Sequence, residues 1–162
     1  MKGVLYCKNF LSDDDLCKSH ENLNSINFVP ITKDNGDKCS QSSLLDNTFY
    51  TQEILKYIEG LTEKKFEIID VYTERRVKNE NEPYRKKEGD NRYFFIMYSP
   101  KIKSIKVDFG MSACLKGSFE TTSLPTYDNS VSFFSSNIYY RQLSPRQSSD
   151  HIITVIYELK EI

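Results

Sequence analysis

The chain predicts one α+β domain in which two N-terminal helices pack on one face of an antiparallel sheet. Three observations carry that expectation. Helical spacing with end signals occurs twice before residue 60. From Phe66 onward the apolar period changes to two. No helical pattern then separates the strands. A length of 162 residues suits a single domain, 1–162, with a real core, and neither an internal repeat nor a boundary is visible.

The elements follow in order. Gly3 to Phe10 is a short β-prone run. Leu11-Ser12-Asp13-Asp14-Asp15 then starts a helix, with Ser12 as cap and three acids where free N–H groups and the positive dipole end favour them. That helix is expected to run to about Leu23, burying Leu16, His20 or Ser19, and Leu23. Thr32 to Ser43 is polar, carries an Asn35-Gly36 turn signal, and reads as a mobile loop. Asn47 to Glu59 places Ile54, Leu55 and Ile58 at helical spacing, with Gly60 as a C-terminal stop. FEIIDVY, RYFFIMYS, KSIKVDFG, SVSFFSS and HIITVIYEL read as strands. In the last, Ile153, Val155, Tyr157 and Leu159 share a face while Ile152 and Ile156 make the other face apolar too, so it should be central and covered on both sides.

Composition excludes several classes. The 22 basic and 23 acidic residues balance, so nothing global draws the chain to nucleic acid or anionic membrane. The longest apolar run, Tyr93 to Tyr98, is far short of the ~20 residues a membrane helix needs, and no secretory signal is visible at the N-terminus. Four irregularly spaced cysteines make no disulfide framework, and no Asn-x-Ser/Thr sequon occurs. An intracellular location, cytoplasmic or nuclear, is the expectation, with no membrane partner.

Glu74 to Arg92 (ERRVKNENEPYRKKEGDNR) interrupts the strands with seven basic and five acidic residues. Read plainly it is an exposed, solvated loop; read sharply it is a binding lid over the sheet. Its Arg75, Arg76, Lys78, Arg85, Lys86, Lys87 and Arg92, with Tyr84 among them, could follow a single nucleic-acid strand, although the interspersed acids weigh against this. Cys7, Cys17, His20 and Cys39 have the chemistry of a zinc site but not its usual spacing, and buried thiols explain them as well. Ser148-Ser149-Asp150-His151 holds triad residue types, but adjacent side chains point apart. Six scattered glycines form no phosphate loop.

GVLYCKNFLSDDDLCKSHENL resembles the opening of AlkB-like proteins of the 2-oxoglutarate and iron(II) dioxygenase superfamily. IIDVYTE is similar to that family's Asn-x-Tyr strand, with Asp70 for the asparagine and Tyr72 kept. KSIKVDFG resembles a later family strand, and SVSFFSSNIYYRQLSP with DHIITVIYE resembles the closing pair. The resemblance spans most of the chain and implies a jelly-roll-like, antiparallel double-stranded β-helix. It also implies iron held by His-x-Asp and a distal histidine. Those ligands should fall near Asp90-Asn91-Arg92 and at Tyr140, and the cosubstrate arginine near His151 or Arg146. None of the three metal ligands is present.

The resemblance thus implies a scaffold without iron chemistry and without a cofactor. It would act as a binding or interaction module for a protein or single-stranded nucleic acid, through its pocket mouth and the 74–92 loop. Candidate contacts are Tyr72, Tyr84, Arg85, Lys86, Lys87, Arg92, Tyr140, Arg141 and Arg146. The alternatives are a divergent oxygenase with ligands drawn from Asp90, Tyr140 and His151, and a structural subunit of a larger assembly.

Overall fold

The computed structural model describes residues 3–85, 89–101 and 112–162. KSIKVDFG, Lys86 and Lys87 lie outside the described residues.

β1 (Val4–Cys7) leads into α1 (Asp13–Asn24), where the Ser12 side chain accepts a hydrogen bond from the Asp15 amide (3.3 Å) over a first turn of three acids. The helix buries Ser19 and Leu23, while His20 turns outward to Asp128 (3.0 Å). The segment expected to be a mobile loop is instead a hairpin of β2 (Val29–Thr32) and β3 (Lys38–Ser43). Asn35-Gly36 does make its turn: Gly36 adopts φ +84°, and Lys33 N–H donates to the Asp37 carbonyl (2.8 Å). β3 lacks the apolar alternation that marks a strand because its buried Ser40 and half-buried Gln41 are polar, and β2 stays largely exposed.

The second helix also departs from expectation. It opens as a wide π-type stretch, Phe49–Ile54, before α2 (Leu55–Thr62). Gly60 lies within α2, and the stop is Glu63 in the left-handed conformation (φ 57°).

The remaining strands are β4 (Phe66–Arg76), β5 (Arg92–Tyr98), β6 (Ser112–Lys116), β7 (Thr121–Pro125), β8 (Ser130–Ser135), β9 (Tyr139–Gln142) and β10 (Ile152–Glu161). Among the described residues they form a seven-stranded sheet, ordered β1-β8-β5-β10-β4-β3-β2, and a three-stranded sheet, β7-β6-β9, with every pairing antiparallel. This is a double-stranded β-helix carrying two N-terminal helices on one face.

β10 is central, between β5 and β4. Its Ile153, Val155, Tyr157 and Leu159 pack in a core with Leu23, Ile54 and Ile58 of the helical segments. Ile156 packs on the other side with Ala113, Leu115 and Tyr140 of the small sheet. Each such side chain contributes about 1.5–3 kcal/mol on burial. Both faces being covered explains the unbroken apolar run of β5. Among the described residues, no helix is long and apolar enough to cross a membrane.

Candidate functional site

Between the two sheets the packing turns polar at one end. Strand alternation puts Asp70, Tyr72, Glu74 and Arg76 of β4 on its inner face, with Val71 and Thr73 on the helix side. The β2–β3 hairpin adds Lys33, Asp37 and Gln41. The segment 80–85 runs beside β9: Glu82 N–H donates to the Gln142 carbonyl (2.9 Å) and Arg85 N–H to that of Tyr140 (3.0 Å). That geometry turns Glu82 and Arg85 inward, so this part of the expected solvated loop is an interior plug. Its charges are of both signs and pair within the protein, which makes burial affordable.

The pairs form one network. Arg76, 1% exposed, grips Asp37 with both Nη atoms (2.7 and 2.6 Å) and donates to Glu74 (3.1 Å). Glu74 Oε1 also accepts from Lys33 Nζ and Gln41 Nε2, each at 2.7 Å. Arg85 Nη2 lies 2.7 Å from Glu82 Oε1, an ion pair without hydrogen-bond alignment, and 3.7 Å from Glu74 Oε2. Arg85 Nη1 donates to the Tyr72 hydroxyl (2.9 Å), and its guanidinium lies over the rings of Phe94 and Tyr140 at 5.5 and 5.6 Å. Three cations thus meet three carboxylates in a place where a single unpaired ion would cost several kcal/mol.

Burial works against ionisation of Glu74, but Arg85, Lys33 and Arg76 overcome it and hold the carboxyl down at about 2. For Asp37, burial is likewise outweighed, here chiefly by Arg76, and its pKa is lowered. Glu82 goes the other way, because burial exceeds the pull of Arg85 and raises it. Tyr140 is pushed well above the usual phenol range by burial, with Tyr98 and Glu82 adding to the effect, and its hydroxyl donates to Gln142 Oε1 (3.0 Å).

Above the network opens a cleft of about 580 Å³, whose walls include Lys33, Gln41, Leu45 and Asp70 and whose floor includes Tyr72, Arg85 and Glu158. Within that floor Tyr72 donates to Glu158 on the neighbouring strand (3.4 Å). Arg92 lines a smaller cavity of about 60 Å³ that shares Glu158.

Of the residues singled out in the sequence, Tyr72, Arg85 and Tyr140 are therefore brought together, and Arg92 is next door. Tyr84 and Arg141 meet elsewhere, on the outer face of the small sheet. Arg146 is exposed in the connection before β10. Asp90 sits in an exposed turn at one end of β5, and His151 bridges Lys101 at the other end. Nine residues of strand, roughly 30 Å, separate the two ends. Cys7, Cys17 and Cys39 are free thiols on β1, α1 and β3, and His20 holds Asp128.

Glu74, Arg76, Glu82, Asp37 and Lys33 were not recognised from sequence as parts of one site. For Glu74 and Arg76 the signal is the polar period-two series Asp70-x-Tyr72-x-Glu74-x-Arg76, which reads as a solvent face unless a second sheet covers it.

No protein-family model matches the sequence, and no curated protein sequence matches it at a significant level. Solved structures do share the fold. An oxidoreductase of the 2OG-Fe(II) oxygenase family from Burkholderia pseudomallei superposes with a TM-score of 0.76 at 8% identity, over 98% of this chain and 85% of that one. A prolyl hydroxylase from Trichoplax adhaerens, in complex with a hypoxia inducible factor peptide fragment, gives 0.69 at 9% identity over 99% and 84%. The viral collagen prolyl hydroxylase of Paramecium Bursaria Chlorella virus-1, a 2OG complex, gives 0.63 at 14% over 98% and 97%.

Among the described residues, the side chains at the expected positions do not fit the iron that the sequence resemblance implies. Tyr140, where the sequence comparison expects the distal histidine, is a neutral phenol engaged with Gln142, and the guanidinium lying over its ring is itself a cation. Asp37, Glu74 and Glu82 are already committed to Lys33, Arg76 and Arg85. Among the described residues, no three His, Cys, Asp or Glu side chains are grouped to hold a metal.

Proposed function

We propose that this chain is a non-catalytic binding module built on an oxygenase-type β-helix, which receives a partner in the cleft above the charge network. One observation carries the reading: the interior is filled by paired ions centred on Arg85 and Glu74, while the mouth above them stays open. The network then acts as a rigid floor, since each ion holds several others in place. Lys33 offers a charged donor to a bound segment, Asp70 offers an acceptor, and the exposed Leu45 gives an apolar lip. The AlkB-like assignment within the superfamily rests on the order of the sequence motifs. A reducing, intracellular setting is supported by four free cysteines.

A photo-crosslinking residue placed at Leu45 tests the cleft, with the same residue at the exposed Lys56 of α2 as control. A discrete crosslinked species specific to position 45 in cells is expected. Equal or absent crosslinking at the two positions would contradict the reading. A second reading, a divergent oxygenase, is favoured by the fold likeness alone. It draws its ligands from Asp90, Tyr140 and His151, and the strand register keeps Asp90 and His151 far apart.

A further inference from the structure

Among the described residues, the outer face of the small sheet carries cations without carboxylate partners. Alternation along β9 turns Tyr139 and Arg141 outward while Tyr140 and Gln142 point in. The register sets Lys116 beside Tyr139 and Cys114 beside Arg141. Tyr84 adjoins them: the Arg141 guanidinium lies over its ring at 5.2 Å and Lys116 Nζ at 6.0 Å. Lys33, Arg76 and Arg85 inside the protein all have carboxylate partners. Among the described residues Lys116 and Arg141 have none, and Arg141 Nε is buried without a hydrogen-bond partner. The hairpin joining β6 to β7 presents Phe119 fully exposed, three residues beyond Lys116, and Tyr139 is exposed as well.

We propose that this face, comprising Lys116, Tyr139, Arg141 and Phe119, docks an acidic protein segment that carries an apolar anchor side chain. Cations without counter-ions complement an anionic partner. Tyrosine, phenylalanine and arginine are the side chains that supply interface anchors. A nucleic-acid strand suits the face less well. Two cations already lie over the Tyr84 ring, where a base would stack. The surface is outside the sheet pair and separate from the cleft, so it stands independently of the cleft reading.

Fluorescence anisotropy with three labelled probes tests it. The first probe is an Asp/Glu-rich peptide with one leucine and one phenylalanine, the second is the same peptide with every acid replaced by glutamine, and the third is oligothymidylate. The acidic peptide is expected to bind at least about tenfold more tightly than its neutral form, and Lys116→Glu with Arg141→Glu to remove that advantage. Phe119→Ser should weaken binding severalfold. Lys116→Glu alone, at an exposed position, should show a loss in the same direction if Arg141→Glu disturbs folding, and thermal melting reports on that. No preference for the acidic peptide, or a preference that survives charge reversal, overturns the proposal. Tighter binding of oligothymidylate, abolished by the same reversal, overturns it in favour of nucleic acid.

Discussion

Replacing Arg85 with methionine removes the cation from the centre of the interior while retaining most of its volume. Glu82, 2.7 Å away, and Glu74, 3.7 Å away, lose a common partner, and the Tyr72 hydroxyl loses a donor. Stranding one member of a buried pair costs about 3–5 kcal/mol. Loss of the stacking over Phe94 and Tyr140 adds up to about 2 kcal/mol, which methionine partly restores through its own contacts with the rings. Glu82 can relieve the strain by taking up a proton, because burial already raises its pKa. The cost should therefore be largest at about pH 8 and smaller at about pH 5. Urea unfolding of the wild type, Arg85→Met, Glu82→Gln and the double variant, at both pH values, measures this. A coupling energy of more than about 1.5 kcal/mol between the two sites is expected. If Arg85→Met lies within about 1 kcal/mol of wild type at both pH values, with coupling near zero, Arg85 is not the buried ionic centre described above.

Four further outcomes follow from the packing between the sheets. Arg76→Met should cost about 3–5 kcal/mol in the same unfolding assay, since it removes the buried cation that holds Asp37 with both Nη atoms and, among the described residues, leaves Asp37 only Lys33. The melting temperature of the wild type should fall as pH rises from the ordinary glutamate range through the raised pKa of Glu82, because the folded state holds that proton more tightly; Glu82→Gln should abolish this slope. The acid limb should survive in Glu82→Gln: Asp37 and Glu74, both depressed, contribute stability above the ordinary carboxylate range that is lost as pH falls, for Glu74 down to about 2. Ile156→Ala, at the contact between the sheets, should cost about 2–5 kcal/mol by calorimetric or denaturant unfolding.

Elements are legible in the sequence where local rules and the core agree. The α1 cap at Ser12, the two-faced β10 and the apolar β5 each announce themselves, because burial on a sheet or helix leaves a periodic apolar trace. Buried polar groups leave no such trace. The β2–β3 hairpin and the segment 80–85 look like solvated loops because their side chains are polar, yet Asp37, Glu82 and Arg85 are satisfied by partners distant in sequence. Charge along a chain gives no indication of such pairing, which only the apposition of two sheets creates. Tyr72, Arg85 and Tyr140 were legible as candidates, but the carboxylates that fix their roles were not. The end of α2 at Glu63 rather than Gly60 shows the same limit, for a left-handed residue need not be a glycine.

The most direct measurement is an anaerobic calorimetric titration of 2-oxoglutarate into the protein in the presence of iron(II), with metal content determined on the same sample. With the interior filled by Arg85 and its carboxylates, neither saturable 2-oxoglutarate binding nor stoichiometric iron is expected. Stoichiometric iron together with saturable cosubstrate binding would contradict the non-catalytic reading and establish an oxygenase site in this scaffold.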